Sequence, residues 1–303
     1  MEIILIRQSI QMFVLIGIGW ILFRTGKVNQ DGSRILGNIL IYVSIPAVII
    51  SSFLEEKTPE SLSGFLWSIV LAVVLLLLSV LVAHFTFRKD PIGAFAAAFS
   101  SPGFFGIPLM IASVGQHAVF YSACFVALVS AGQWTYGVSR LTGQPVMQGF
   151  RLKKLIRSPF VIAILIGFAL FLSQLRLPDI IRNCLTAVAG VNTPLAMFTV
   201  GIYMAQTDFE KMVRDKAVYR IAAVRLILIP VLTVFLLKLF PASMIQMKTV
   251  LLLAAASPVG SNVAVYAQLY GRDSAYAVEA VVVSTLLSVI TVPAVVFFAK
   301  LIW

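Results

Sequence analysis

Residues 101–108 read Ser-Pro-Gly-Phe-Phe-Gly-Ile-Pro and residues 257–262 read Ser-Pro-Val-Gly-Ser-Asn; each stretch interrupts a long apolar run. Ser257 and Pro258 follow Ser101 and Pro102 by 156 positions, and the same offset lays Gly271 on Gly115 and Ala254 on Ala98 without a gap. A helix broken by Pro and Gly at membrane depth is costly, because the freed N–H and C=O groups find no partner in lipid. Such breaks persist where backbone lines a polar cavity, and a pair of them in corresponding halves points to a transporter-type binding site. One break alone reads as a kink, with its Ser hydroxyls bonded back to the preceding turn. The matched pair decides the reading.

Composition agrees. Of 303 residues 60% are hydrophobic and 12% charged, with mean hydropathy +1.00, which is too apolar for a soluble domain and marks an all-α polytopic membrane protein. The net charge of +11 is explained by loop charges that orient such a protein, so no nucleic-acid partner is expected. No cleavable signal is expected, since Arg7 interrupts the first apolar run. Cys124 and Cys184 are too few for a disulfide framework and read as buried thiols.

Ten segments are apolar enough to span a bilayer: 3–23, 35–54, 63–87, 92–114, 118–139, 159–176, 184–205, 217–239, 246–269 and 274–299. Lys and Arg collect in alternate loops, 15 in one set and 6 in the other. The positive-inside rule makes the richer set cytoplasmic and puts both termini outside the cell membrane. The cytoplasmic linker 141–158 separates five spans in 1–140 from five in 159–303. An odd number per half inserts the second half upside down, so the repeat is inverted, and the broken fourth and ninth spans run in opposite directions.

Their second halves begin near Phe105–Pro108 and near Ser261–Asn262. A half-helix N-terminus presents unpaired N–H donors and about half a positive charge, so two such ends meeting at one point suit an anion, most simply a carboxylate. Gly103, Gly106 and Gly260 permit close approach of a ligand to the backbone. Ser100, Ser101, Ser257, Ser261 and Asn262 supply hydrogen bonds, and Asn262 is also a natural cap for the helix that follows it. Pro102, Pro108 and Pro258 enforce the breaks.

GFFGIPLM at 103–110, NTPLAMFTVGIYM at 192–204 and SPVGSNVAVYAQLYG at 257–271, followed by STLLSVITVP at 284–293, resemble the auxin efflux carrier family over the full ten-span length. The resemblance implies an inverted five-helix repeat like that of bile-acid and sodium–proton transporters, with spans 4 and 9 crossing at the substrate site, which adds Phe104 to the candidates. It further implies a transport domain of spans 3–5 and 8–10 on a scaffold of spans 1, 2, 6 and 7, often a homodimer through the scaffold. Plant members export indole-3-acetate and bacterial relatives include malate and malonate permeases. Plant carriers have Asn where this chain has Ser101, which counts against an auxin-like binding mode, whereas Asn262 keeps the bacterial pattern.

Gln133 either reaches the crossover or serves as interhelical glue. Asn38 and Gln206 read as structural. Glu279 lies about 8 Å and Arg225 about 12 Å below the cytoplasmic starts of their spans at the helical rise, so they are candidates for a static ion pair or, for Glu279, a coupling role. His84 and His117 cannot form a metal cluster, and no nucleophile–base arrangement or phosphate loop is present, so neither an enzyme nor a metal or cofactor site is expected. Two functions remain. One is a secondary active carrier of a small organic anion, mono- or dicarboxylate, driven by H⁺, Na⁺ or membrane potential. The other is a channel or sensor using the same crossover; the pore-lining rings of a channel are missing.

Overall fold

A computed structural model describes residues 2–146, 156–207 and 209–303, and every regular element within them is helical. In chain order these are α1 (Glu2–Arg24), α2 (Gln30–Ser52), α3 (Pro59–Thr86), α4 (Pro91–Ala98), α5 (Pro102–Val114), α6 (Ala118–Thr142) and α7 (Pro159–Ser173). There follow α8 (Asp179–Ala205), α9 (Phe209–Arg214), α10 (Lys216–Lys238), α11 (Ala242–Ala256), α12 (Asn262–Leu269) and α13 (Ser274–Ile302). Seven helices are long and apolar enough to cross a membrane, while α5, α7 and α11 are apolar but shorter. The chain is an all-helical polytopic membrane protein.

Polar residues set the helix starts. The Asn29 side chain accepts from Gly32 N at 2.9 Å, and Thr58 and Ser61 satisfy each other's backbone N–H ahead of Pro59. Asp90 accepts from Gly93 N and Asp273 from Tyr276 N, each replacing an acceptor that a first turn lacks. Asn29 lies in a polar segment, so α2 begins at 30 rather than 35; α8 begins at 179 rather than 184, behind Pro178 and with no side-chain cap. The short α9 occupies what reads as a loop. Half of the expected 141–158 linker, residues 147–155, lies outside the described residues. Cys184 is exposed and Cys124 half-buried, so the expectation of two buried thiols is corrected.

Four π-helical turns interrupt the described helices, at Leu40–Ser44, Pro102–Gly106, Gln133–Gly137 and Val224–Leu228. Three of them run into an Ile-Pro pair at Pro46, Pro108 or Pro230. Proline lacks the N–H that position i−4 needs and crowds its carbonyl, and a wider turn relieves both.

Helices α1 and α8 meet backbone to backbone. A Cβ on Gly19 would lie 2.7 Å from Phe198 Cα, and one on Gly201 would lie 2.8 Å from Trp20 N. Phe53, just past the end of α2, packs on Gly167 of α7, and Ser44 of α2 donates to Val188 O at 3.1 Å. Elsewhere polar ties link the first half of the chain to the second. Tyr276 donates to Asp90 at 2.8 Å, Arg272 to Leu141 O at 2.8 Å and Arg220 to Thr86 O at 2.7 Å; within the first half, Arg140 donates to Phe87 O and Arg88 O. These ties join neighbouring ends of α3, α4, α6, α10 and α13.

Candidate functional site

The site begins with two residues that cannot be helical. Pro258 forces Ser257 to an extended ψ of 148°, and before Pro102 the residues Phe99 and Ser101 take ψ values of 111° and 62°. Both helices therefore stop, and the stops face each other. Ser101 N donates to Pro258 O at 2.8 Å, and Gly260 N donates to Phe99 O at 3.1 Å, pairing Ser100 with Val259 as in an antiparallel bridge. Each break thus supplies the backbone partners that the other lost. Ser284 of α13 braces the second break by accepting from Val259 N at 3.1 Å. Sequence reading misses Ser284 as a brace, since nothing in its spacing marks it.

Around this bridge lies a small cavity of about 50 Å³, room for a few water-sized groups. Ser100, Ser101, Pro102, Gly103, Phe104, Gln133, Gly260, Ser261 and Asn262 line it, together with apolar Ile45, Val126, Val129 and Phe160. Asn262 Nδ2 donates to Gln133 Oε1 at 2.9 Å, so Gln133 does reach the crossover, from the π-turn that starts at its own position. A Cβ on Gly260 would stand 3.1 Å from Ser100 O and 3.3 Å from Gln133 Nε2, which gives the glycine its reason. Ser100 Oγ is buried without a hydrogen-bond partner, so one hydroxyl at the cavity is unspent. The first N–H groups of α5 and α12 have no intrahelical acceptor by helix geometry.

Not every candidate lines the cavity. Ser257 is fully buried and its hydroxyl bonds back to Leu253 O at 2.8 Å. Gly106 allows α5 to approach that hydroxyl, since a Cβ there would lie 2.8 Å from it. Pro108 and Pro258 shape the breaks from outside the lining. The cap position of α12 is Ser261, and the Asn262 amide is engaged with Gln133, so the expected Asn262 cap is not formed.

The ion pair is a second correction. Arg225 donates to Ala97 O at 3.0 Å, to Ala98 O at 3.3 Å and to Ala255 O, and no ion pair joins it to Glu279 among the described residues. Glu279 instead lines a cavity of about 810 Å³ bounded by the start of α2, the end of α8, α12 and the start of α13. Phe104, Ser261 and Asn262 line both cavities and so stand between them. Asn38 and Gln206, read from sequence as structural, border the larger cavity beside Arg34, Tyr203 and Gln268.

Comparison with known proteins points to membrane transport. A family model described as "Membrane transport protein" matches residues 4–145 and 144–296. The protein named "Putative malonate transporter" from Rhizobium meliloti (strain 1021) is 22% identical over 304 residues, covering 95% of this chain and 93% of its own.

Proposed function

We propose, from the premise that this chain belongs to the membrane transport protein family, the auxin efflux carriers its motifs resemble, that it is a secondary active carrier of small dicarboxylates. Transport rather than catalysis is the family's business, and the relative's name points to malonate as the first substrate to try. The observation that carries the reading is the back-to-back bridge of the two breaks beside a polar cavity. The first turns of α5 and α12 direct N–H donors and positive helix ends there, where a carboxylate is favoured. Gln133, Ser100, Ser101, Ser261 and Asn262 complete its hydrogen bonds, and the larger cavity is its route to one side of the membrane.

The proposed architecture has ten spans in an inverted five-plus-five repeat, with α4–α5 and α11–α12 as the broken fourth and ninth spans crossing at the bridge. Spans 3–5 and 8–10, tied by Asp90–Tyr276 and Arg272–Leu141, form a transport domain. Spans 1, 2, 6 and 7, with the glycine contact of α1 on α8, form a scaffold through which two copies pair. The domain rocks against the scaffold to expose the crossover alternately. Both termini lie outside the inner membrane, so the larger cavity opens to the cytoplasm. Single cysteines at 27 and 214, in a variant with Cys124 and Cys184 replaced by Ser, should react with impermeant maleimide only after the membrane is opened. Labelling of either in intact cells would overturn the orientation.

The direct test is counterflow. Proteoliposomes loaded with unlabelled malonate should concentrate labelled malonate transiently, because only a carrier exchanges. A conductance without counterflow would make the protein a channel. We assign proton coupling to Glu279, an acid buried beside the larger cavity. In the same vesicles Glu279→Gln should keep counterflow and lose accumulation driven by an imposed pH gradient. Retained accumulation would remove Glu279 from the coupling step.

A further inference from the structure

We infer that Arg225 is a tethered counter-cation: its guanidinium fills a cradle of backbone carbonyls at the crossover, where an inorganic co-transported cation would otherwise sit. Anion binding therefore needs neither Na⁺ nor K⁺. The inference rests on the carrier reading for its functional consequence and on geometry alone for the cradle.

The cradle follows from the breaks. When α4 stops at Ala98 and α11 at Ala256, the last-turn carbonyls of both helices lose their intrahelical donors. Each helix end also carries about half a negative charge, and carbonyls at two such ends converging in a membrane form a cation site. Arg225 reaches both ends at once. One guanidinium nitrogen donates to Ala97 O and Ala98 O, the other to Ala255 O. The side chain is 1% exposed, projecting from the π-turn Val224–Leu228 that precedes Pro230. Its planar fork can span two helix ends, and its charge is permanent, where an ammonium is a single compact point.

The charge balance gives the function. Among the described residues no carboxylate forms an ion pair with Arg225, so its charge is set against the two helix ends. Two half charges offset one guanidinium. The opposite ends, at the starts of α5 and α12, are then left with about one positive charge between them beside Ser101 and Asn262. That surplus suits a carboxylate without help from a dissolved cation. The cation is part of the chain.

The test uses purified full-length protein in choline chloride, NaCl or KCl, with malonate as the probe. Wild type should bind malonate equally in all three salts. Arg225→Ala should bind about 100-fold more weakly in choline, since three carbonyls lose a charged donor, and recover with millimolar methylguanidinium or with Na⁺. A wild-type requirement for Na⁺ or K⁺, or wild-type binding by Arg225→Ala in choline, overturns the inference. Should Arg225→Ala fail to fold, the comparison passes to Arg225→Lys and Arg225→Met. Salt-independent binding by the lysine variant alone supports the inference, and binding by the methionine variant overturns it. If wild type binds no dicarboxylate in any salt, the carrier reading fails by itself. Melting temperatures then decide the cradle. Arg225→Ala should be restored by methylguanidinium and not by tetramethylammonium, and equal effects of the two would refute it.

Discussion

Asn262→Asp should lower malonate affinity by about a thousandfold, while the protein still folds. A carboxylate about 4 Å from a bound carboxylate costs about 4 kcal/mol at the effective dielectric of a protein interior open to water. The side chain has the volume of the original, and its neighbour can adapt. Gln133 now accepts from Asn262 Nδ2 at 2.9 Å, and rotating its amide would present Nε2 as donor to the new carboxylate. The loss is therefore one of binding, with little change in melting temperature. Asn262→Ala separates charge from hydrogen bonding: it should cost about 1–3 kcal/mol, the penalty of leaving buried polar partners unmade. Titration of each variant with malonate in proteoliposomes or by thermal shift reads both effects. Parental affinity in Asn262→Asp would mean that the anion sits elsewhere.

The halves of this protein differ in how much their sequence reveals. The breaks at Pro102 and Pro258 are legible because proline acts locally, on its own ring and the residue before it. That they bond to each other is not, since the Ser100–Val259 pair joins segments far apart in sequence and no periodicity encodes it. Hydropathy sets the starts of α2 and α8 too late, because an apolar run ends where charges begin. Asp31 and Arg34 nevertheless lie in continuous helix behind the Asn29 cap, and Asp179 opens α8 directly after Pro178. Gln133 is legible as a polar residue at the right depth; its π-turn is not, having no proline to announce it.

Arg225 shows the limit most clearly. Helical rise gives the depth of a residue and says nothing about the direction in which its side chain points. Pairing it with Glu279 assumes that a buried cation must find a carboxylate. A broken helix offers another counter-charge, the carbonyls of its own end, and these carry no mark in the sequence. The three carbonyls that Arg225 binds belong to alanines. Ser284 is similar, a hydroxyl whose role depends on the backbone N–H it happens to face.

The largest effect on stability should come from Gly201→Val, which is expected to destabilise the fold by about 3 kcal/mol or more, above the ordinary cost of overpacking. Lipid tails are as apolar as the helices, so no hydrophobic force holds α1 on α8, and close backbone packing must do it. At Gly201 the missing side chain's place is taken by Ile16 O and Trp20 N, and at Gly19 by the backbone of Phe198. Backbone atoms cannot rotate away as a side-chain tip would. A valine forces the two helices apart, and dispersion contacts along the whole seam weaken together. Gly17→Val is the matched control, on the same seam-forming helix α1 and with no atom within 4 Å of the place its Cβ would take. Thermal melting followed by size-exclusion chromatography should show Gly201→Val aggregating at temperatures where Gly17→Val and the parent stay monodisperse. Equal melting of the two variants would mean that the seam is not what holds α1 to α8. The proposed scaffold would then have to be held by the contacts of α2 and its end, Phe53 on Gly167 and Ser44 on Val188 O. A carrier that moves one domain against another needs a partner that stays still. Two glycines facing backbone across a seam give that rigidity without any polar group in the lipid.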